Sequence, residues 1–236
     1  MENRRRKKIG GRVLALLMGL AGISILVATI SPIVKYQFFS REKYPSFLVP
    51  LADSEIEFLA NDKDYTKASN WFKGGIKEEN FSLPKVTFYN LSIPKLGIED
   101  AVVAIGGEDL NQHLIQYPGT ALPGHLGNAV IFGHSLLPRF YDPKKYISIF
   151  SLLPTLEKGD SIFVYFDGVE YAYRVEDLFE VQPADIQVLE QNTTDSYLTL
   201  VTCTPPGDPR RPRRLIVRAK IIPQESAGLK NNSSNL

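Results

Sequence analysis

The first apolar pattern in this chain is an uninterrupted stretch near its beginning. Residues 13–34 contain no charged side chain, and a helix of about 22 residues at 1.5 Å per residue spans the hydrocarbon core of a bilayer. Six basic residues precede this stretch within residues 1–12, and short basic flanks of this kind stay in the cytoplasm. We therefore predict a cytoplasmic basic tail at 1–12 and a single-pass transmembrane anchor at 13–34, with the rest of the chain outside the cell membrane.

A cleaved secretory signal is the alternative interpretation of residues 13–34. The apolar region of such a signal is usually about 7 to 15 residues long and is followed by a small-residue cleavage site. The stretch here is longer, and no A-x-A pattern follows it. These two differences favour the anchor.

From residue 85 onward the pattern changes to short runs of β-branched and aromatic residues separated by Gly, Pro and Asp. These runs predict β-strands at residues 86–93, 101–105, 128–134, 161–166, 169–181, 197–203 and 214–222. Asp167-Gly168, between two of the runs, predicts a tight hairpin. A short helix is expected within 138–153. About eight short strands with few helices predict a mainly β fold, a closed barrel over residues 85–223.

Two segments show neither pattern. Residues 35–84 are irregular and rich in acidic and polar residues, and we interpret them as an extracellular stalk with an accessory helix within 53–71. A solvated linker is the alternative there. Residues 224–236 are polar and rich in Asn and Ser, which predicts a disordered tail.

Composition fits one folded domain and excludes one class of partner. Of the 236 residues, 44% are hydrophobic, which suffices for one core of about 150 residues. The net charge is +1, but residues 1–12 hold six of the 27 basic residues and one of the 26 acidic ones, so the body is mildly acidic. A nucleic-acid-binding domain would concentrate basic residues on its folded body. We therefore predict no nucleic-acid partner.

The single cysteine, Cys203, ends an apolar run directly before a turn rich in Pro and Gly. This pattern places its thiol at the last residue of a buried strand, at the mouth of a loop. Outside the cell a lone thiol has no disulfide partner, which favours a reactive role; a small buried hydrophobic residue is the alternative. A thiol attacks as its thiolate, so such a site also needs a proton acceptor and positive potential.

The proton acceptor must come from three histidines. His134 ends another apolar run, where an imidazole is placed for proton transfer near neutral pH. His113 lies in a polar segment and His125 in a Pro/Gly loop, so we expect surface or packing roles for both. No two of the three have the short spacing of a local zinc pair.

The positive charge is available from the basic turn that follows Cys203. Arg214 leads the last predicted strand, and a hairpin between this strand and the one that ends at Cys203 would bring Arg214 close to the thiol. A guanidinium there can lower the pKa of the thiol, and it is better suited to donate hydrogen bonds to the oxyanion of an acyl-transfer intermediate. Arg213 is the alternative.

These residues resemble the signature motifs of sortases. The run TLVTC at 199–203 matches their TLxTC motif, and Gly-His at 133–134 matches their histidine motif. The run LSIPKLGI at 91–98 resembles their first-strand pattern, PGHLGN at 123–128 their P-G-x-x-G-N turn, and RLIVR at 214–218 their R-L-(L/I)-V-R strand. The resemblance covers about residues 86–222.

This resemblance implies an eight-stranded sortase-type β-barrel and a membrane-anchored cysteine transpeptidase. In sortases a thiolate attacks the Thr–Gly amide of an LPXTG-like sorting signal, and an amine from a cell-wall precursor or a pilin lysine resolves the thioacyl enzyme. Carried onto this chain, Cys203 is the nucleophile, His134 the general acid and base, and Arg214 the oxyanion stabiliser. A hydrolytic cysteine protease and a non-catalytic surface scaffold are the alternatives, and the intact trio disfavours the scaffold.

The chain also departs from parts of the family pattern. Residues 35–84 contain no D-P-aromatic lid motif, and no second hydrophobic anchor follows the predicted barrel. The turn 204–213 is rich in proline and longer than in pilin-type relatives, which leaves the assignment to Arg213 or Arg214 open. Asp185 and Glu190 lie in the region where some sortases bind calcium, but this signal is weak, and we expect no cofactor.

Overall fold

The computed structural model describes residues 2–44, 66–71, 87–191 and 194–223. The chain divides into two compact units at the junction between Lys43 and Tyr44. The predicted accessory helix falls mostly on residues 53–65, and the predicted tail begins at residue 224; both lie outside the described residues.

The first unit contains one helix, α1, over Glu2–Lys43. Its segment Ala15–Ser40, with a mean hydropathy of 2.1, is long and apolar enough to cross a membrane, which confirms the predicted N-terminal candidate for a membrane span. The helix continues beyond the predicted anchor end at Val34. Polar residues mark the end of a membrane span, but they do not end a helix. Each residue added to an existing helix gains one backbone hydrogen bond, whether its side chain is polar or apolar.

The second unit is a closed barrel of eight strands, which confirms the predicted fold class. The strands follow each other around the barrel in the order β1-β2-β3-β4-β7-β8-β6-β5. The pairs β2–β3 and β4–β7 are parallel and the other neighbours are antiparallel. The strand bounds are β1 Phe88–Ile93, β2 Ile98–Ile105, β3 Leu114–Gln116, β4 Gly127–Phe132, β5 Ser161–Phe166, β6 Val169–Val181, β7 Ser196–Thr204 and β8 Arg213–Ile221.

The pairing of β4, β7, β8 and β6 arranges side chains in lateral rows on one face of the sheet, which we call the site face. One row contains Cys203, Arg214 and Val181. The next row, two residues away along each strand, contains Phe132, Val201, Ile216 and Phe179, and the row beyond it contains Val130, Thr199, Arg218 and Asp177. Alternate residues of a strand point to the same face, so these rows lie side by side.

Two local predictions differ from the structure. Strand β3 was not predicted, because Leu114–Gln116 is too short to show an alternation and follows a polar segment. The short helix expected within 138–153 is replaced by 3₁₀ turns at Pro138–Phe140 and Leu153–Thr155 with turns between them. Each contains a proline, which removes a backbone N–H donor and disfavours a continuous α-helix.

Candidate active site

The thiol and one guanidinium are placed together by the antiparallel pairing of β7 and β8. Cys203 and Arg214 are direct partners in this ladder, and directly opposed residues have Cβ atoms about 4.5 to 5.5 Å apart. Cys203 is 5% exposed and Arg214 is fully buried. Cys203 and Arg214 are therefore neighbours on paired strands, as the sequence predicted.

The imidazole of His134 is brought beside this pair by the parallel pairing of β4 and β7. Phe132 is the partner of Val201. His134 and Cys203 each lie two residues further along their chains, so the two residues are neighbours. Three hydrogen bonds fix the two chain ends: Gly133 N donates to the Val201 carbonyl at 3.1 Å, Thr202 Oγ1 donates to the Gly133 carbonyl at 2.8 Å, and Ser135 Oγ donates to the Cys203 carbonyl at 2.7 Å. His134 is itself buried, with 6% exposed.

Gly133, between β4 and His134, is required by close packing. A Cβ at this position would lie 2.5 Å from the Phe150 ring and 2.6 Å from a methyl group of Leu114. The main chain therefore approaches these two side chains more closely than any other residue would allow. Gly133 thus determines the path of the main chain between the end of β4 and His134, and with it the position of the imidazole.

The structure separates the two candidate arginines onto opposite faces of β8. Arg213 Nη1 forms an ion pair with Glu180 Oε2 at 2.6 Å, and Thr204 Oγ1 donates to the other carboxylate oxygen at 3.2 Å. Glu180 is buried, so this group ties β6, β7 and β8 together away from the thiol. Arg214, in contrast, lies on the site face, in the same row as Cys203.

The guanidinium of Arg214 is held by main-chain oxygens. Its Nη1 donates to the carbonyls of Arg211 at 2.9 Å and Arg213 at 3.2 Å, and its Nη2 donates to the carbonyl of Trp71 at 3.2 Å. Carbonyl groups orient the guanidinium without neutralising its charge. The three carbonyls therefore hold the guanidinium in the row of Cys203.

Trp71 covers the site. Its side chain is fully buried, with ring centroids 5.3 Å from Phe132 and 5.8 Å from His134, and the Arg214 guanidinium carbon lies 5.5 Å from the indole centroid. The sequence of residues 66–71 does not indicate this role, because it lacks the D-P-aromatic motif. An isolated Trp after a polar run was the one available signal.

Backbone pairing holds the covering segment, residues 66–71, in place. Ala68 N donates to the Glu108 carbonyl at 3.1 Å, and Leu110 N donates to the Thr66 carbonyl at 3.0 Å. Lys67 and Asp109 form a β-bridge. The segment is therefore attached to the loop between β2 and β3, with its indole packed against His134 and Arg214.

The environment of Cys203 acts on its thiol in two opposing directions. Burial raises the pKa of the Cys203 thiol above its usual value, while the positive charges of Arg214 and Arg211 lower it. Burial is the larger effect in the covered site. Movement of the Trp71 indole alone would reduce the burial and leave the Trp71 carbonyl on Arg214, which favours the thiolate.

The other sequence candidates lie in different surroundings. The His113 ring packs edge-on against Phe88 and Tyr146, and His125 Nδ1 lies 3.2 Å from the Pro123 carbonyl. Across the described parts of the chain, no three His, Cys, Asp or Glu side chains form a group that could hold a metal ion. Asp185 and Glu190 instead line one cavity together with Arg218.

A thiol, an imidazole and a guanidinium at adjacent strand ends of a closed barrel form an arrangement suited to acyl transfer. Comparison with known proteins identifies the class. A family model described as a sortase domain matches residues 91–222, more than half of the chain. The chain belongs to the sortase family, which confirms the resemblance seen in its motifs, and membership implies a transpeptidase enzyme.

Individual relatives agree with this assignment. The chain is 27% identical over 176 residues to sortase A of Bacillus anthracis, covering 72% of this chain and 78% of that protein. A structure of sortase A from Corynebacterium diphtheriae, a lid mutant, is similar with 28% identity and a TM-score of 0.50, covering 58% of this chain and 70% of that one. A crystal structure of sortase C-1 from Actinomyces oris is similar with 26% identity and a TM-score of 0.50, and the match covers 60% of this chain and 77% of that one.

Proposed function

We propose that this protein cleaves an LPXTG-like sorting signal through a thioacyl intermediate on Cys203 and transfers the cargo to an amine acceptor, a cell-wall precursor or a pilin lysine. The observation that carries the proposal is the placement of Cys203, His134 and Arg214 at adjacent strand ends. The three side chains provide a nucleophile, a proton carrier and an anion stabiliser.

The chemistry follows from the position of each group. The Cys203 thiolate attacks the threonine carbonyl carbon, the new S–C bond forms, and the negative charge moves to the carbonyl oxygen, where the Arg214 guanidinium stabilises it. His134 then donates a proton to the glycine nitrogen as the C–N bond breaks. In the second half, the acceptor amine attacks the thioester, His134 takes its proton, and the Cys203 thiolate leaves.

The site face offers a binding surface for the apolar residues of such a signal. Beyond Cys203, the buried residues Val181, Val188, Val201 and Ile216 belong to one apolar cluster with Trp71. Leucine and proline of an LPXTG-like sequence lie upstream of the cleaved bond. When Trp71 moves away, this surface can bury them instead of the indole.

We further propose that α1 anchors the catalytic barrel to the cell membrane with its N-terminus in the cytoplasm. The span Ala15–Ser40 supports the anchor, and the basic residues within 1–12 support the orientation, since Lys and Arg are retained on the cytoplasmic side. The barrel would then face the sorting signals of cell-surface proteins.

Intact-mass spectrometry of the full chain in detergent micelles tests the function. With an LPXTG-type peptide we expect an acyl adduct on Cys203, and with added triglycine we expect its conversion to a peptide–triglycine product. The Cys203→Ala variant should form neither, and Tyr165→Ala, which keeps the thiol and removes a side chain that is exposed on β5, serves as the control. A product that contains water in place of triglycine would instead support a hydrolase, and peptide turnover by Cys203→Ala would contradict the nucleophile assignment.

A further inference from the structure

The segment that follows β6 forms one wall of the apolar surface beside Cys203. It contains a 3₁₀ turn, Ile186–Leu189, and its Val188 side chain is buried in the same apolar cluster as Cys203 and Trp71. Side chains of this segment, together with side chains of β6 and β8, line a cavity of about 210 Å³. We call residues 186–191 the wall segment. Its position therefore shapes the surface on which the sorting signal is proposed to lie.

Two buried side chains connect the sheet to the wall segment by hydrogen bonds. Thr199 Oγ1 donates to Asn128 Oδ1 at 2.7 Å, and Asn128 Nδ2 donates to the Val188 carbonyl at 3.0 Å. Thr199 is fully buried and Asn128 is 2% exposed, so water competes little for either bond. Thr199 begins the TLVTC motif and Asn128 ends the PGHLGN motif. The two motifs are therefore joined to each other and to the wall segment.

The side-chain amide of Gln191 fixes the other end of the wall segment. Its Oε1 atom accepts from the main-chain N–H groups of Ala121 at 3.1 Å and Asn128 at 3.0 Å. Its Nε2 atom donates to the carbonyls of Asn128 at 3.0 Å and Leu189 at 2.9 Å. These four hydrogen bonds use the full capacity of an amide group. One side chain thus joins the wall segment to the start of β4 and to the turn before it.

The first residue of β4 leaves room for this amide. Gly127 has a φ of 124°, in the region that favours glycine. A Cβ at this position would lie 2.9 Å from Gln191 Oε1 and 2.7 Å from the Cβ of Ala121. The second glycine of the PGHLGN motif is therefore required where the Gln191 side chain enters.

These hydrogen bonds act on the wall segment more than on the barrel. Strand β4 already pairs with β7 along its whole length, so the sheet does not depend on the amides. A segment that becomes ordered only when a ligand binds loses conformational entropy at that step, which weakens the affinity. A wall that is already held in place avoids this loss. None of the bonds involves Cys203, His134 or Arg214, so they should affect peptide binding and leave the chemical step unchanged.

We propose that Asn128 and Gln191 are positioning residues that hold the wall segment in its peptide-binding position and thereby support selectivity for the apolar residues upstream of the cleaved bond. This inference rests on the proposed function. It gives a role to residues of two motifs that the acyl-transfer chemistry does not use.

Gln191→Ala is the main test, because the residue is exposed and its truncation creates no buried cavity. The experiment measures kcat and KM of the full chain in micelles for an LPXTG-type peptide and for the same peptide with Ala in place of Leu. We expect the KM of the Leu peptide to rise about 10-fold, roughly the factor that one hydrogen bond contributes, while kcat stays within about 2-fold. The preference for the Leu peptide, as the ratio of the two kcat/KM values, should fall by a similar factor, because the Ala peptide has less apolar surface for the wall to bury.

A second variant and a control accompany this test. Thr199→Val removes the buried hydroxyl donor but keeps the branched shape of the side chain, and it should raise KM in the same direction. Gln182→Ala is the matched control, since Gln182 is an exposed glutamine that also follows β6. It should leave both constants within about 2-fold.

An unchanged KM and an unchanged Leu preference in Gln191→Ala would overturn the inference. So would a fall in kcat that is equal for both peptides at constant KM, which indicates a loss of folded protein, or an equal rise of KM in Gln182→Ala. If the unmodified protein forms no acyl adduct with either peptide, the proposed function fails and this inference fails with it. If the adduct forms and Gln191→Ala keeps its KM, this inference alone fails.

Discussion

The replacement of Trp71 by alanine tests whether residues 66–71 control access to the thiol. The indole is fully buried against Phe132, His134 and Arg214, and truncation of such a ring costs about 3 to 5 kcal/mol. The main-chain pairing of the segment with the β2–β3 loop remains, so the loss falls on docking of the segment. Because 1.4 kcal/mol is a factor of ten, the open population should rise about 10²- to 4 × 10³-fold.

The single cysteine makes the assay direct, because all alkylation reports on Cys203. We expect the second-order rate of the full chain with iodoacetamide to rise by up to the same factor in Trp71→Ala. The increase reaches this limit when the segment opens and closes quickly compared with the chemical step. A lower pKa of the less buried thiol would act in the same direction.

The control for this prediction removes an aromatic ring elsewhere. Tyr165 is 52% exposed on β5, and Tyr165→Ala should leave the alkylation rate unchanged. Thermal unfolding of both variants checks that the barrel persists. If Trp71→Ala reacts within about threefold of the unmodified protein, the indole does not limit access to Cys203 and the reasoning is wrong.

Three further predictions concern the charges around the site. Arg214→Gln should lower turnover about 10²- to 10³-fold, as loss of one oxyanion donor does. Arg213→Gln should instead lower the unfolding temperature, because it removes the cation that forms an ion pair with the buried Glu180 carboxylate. The reverse pattern would assign the oxyanion role to Arg213. Since the positive charge of Arg214 lowers the pKa of Cys203, Arg214→Gln should move the alkylation profile to higher pH, and an unmoved profile would contradict this electrostatic effect. EDTA should leave peptide cleavage within about 2-fold, because no three His, Cys, Asp or Glu side chains among the described residues form a group that could hold a metal ion. A loss that calcium restores would show that a metal is needed.

The sequence predicted the elements whose patterns are local. An uncharged apolar stretch is sufficient to indicate a membrane span, and the alternating runs with an Asp-Gly turn indicate paired strands, because each signal arises within about 20 residues. The motifs around Cys203 and His134 identified the family for the same reason. Strand β3 was missed because a three-residue strand depends on its neighbours for stability.

The position of Trp71 could not be predicted from local sequence. Its burial depends on the pairing of residues 66–71 with the β2–β3 loop, about 40 residues away, and on the surface that β4, β7 and β8 create together. An aromatic residue after a polar run is compatible with a linker, an amphipathic helix or a cover. Long-range packing alone distinguishes these alternatives.

By itself, therefore, the sequence indicated the candidate membrane span, the barrel class, the family, and the candidate thiol and imidazole. The choice between Arg213 and Arg214 required the tertiary structure, because adjacent residues of a strand point to opposite faces and a register shift by one would exchange them. The pairing Cys203 with Arg214 placed one guanidinium beside the thiol and the other against Glu180. The same register placed Arg218 in a cavity four residues further along β8, an arrangement that a linear motif does not record.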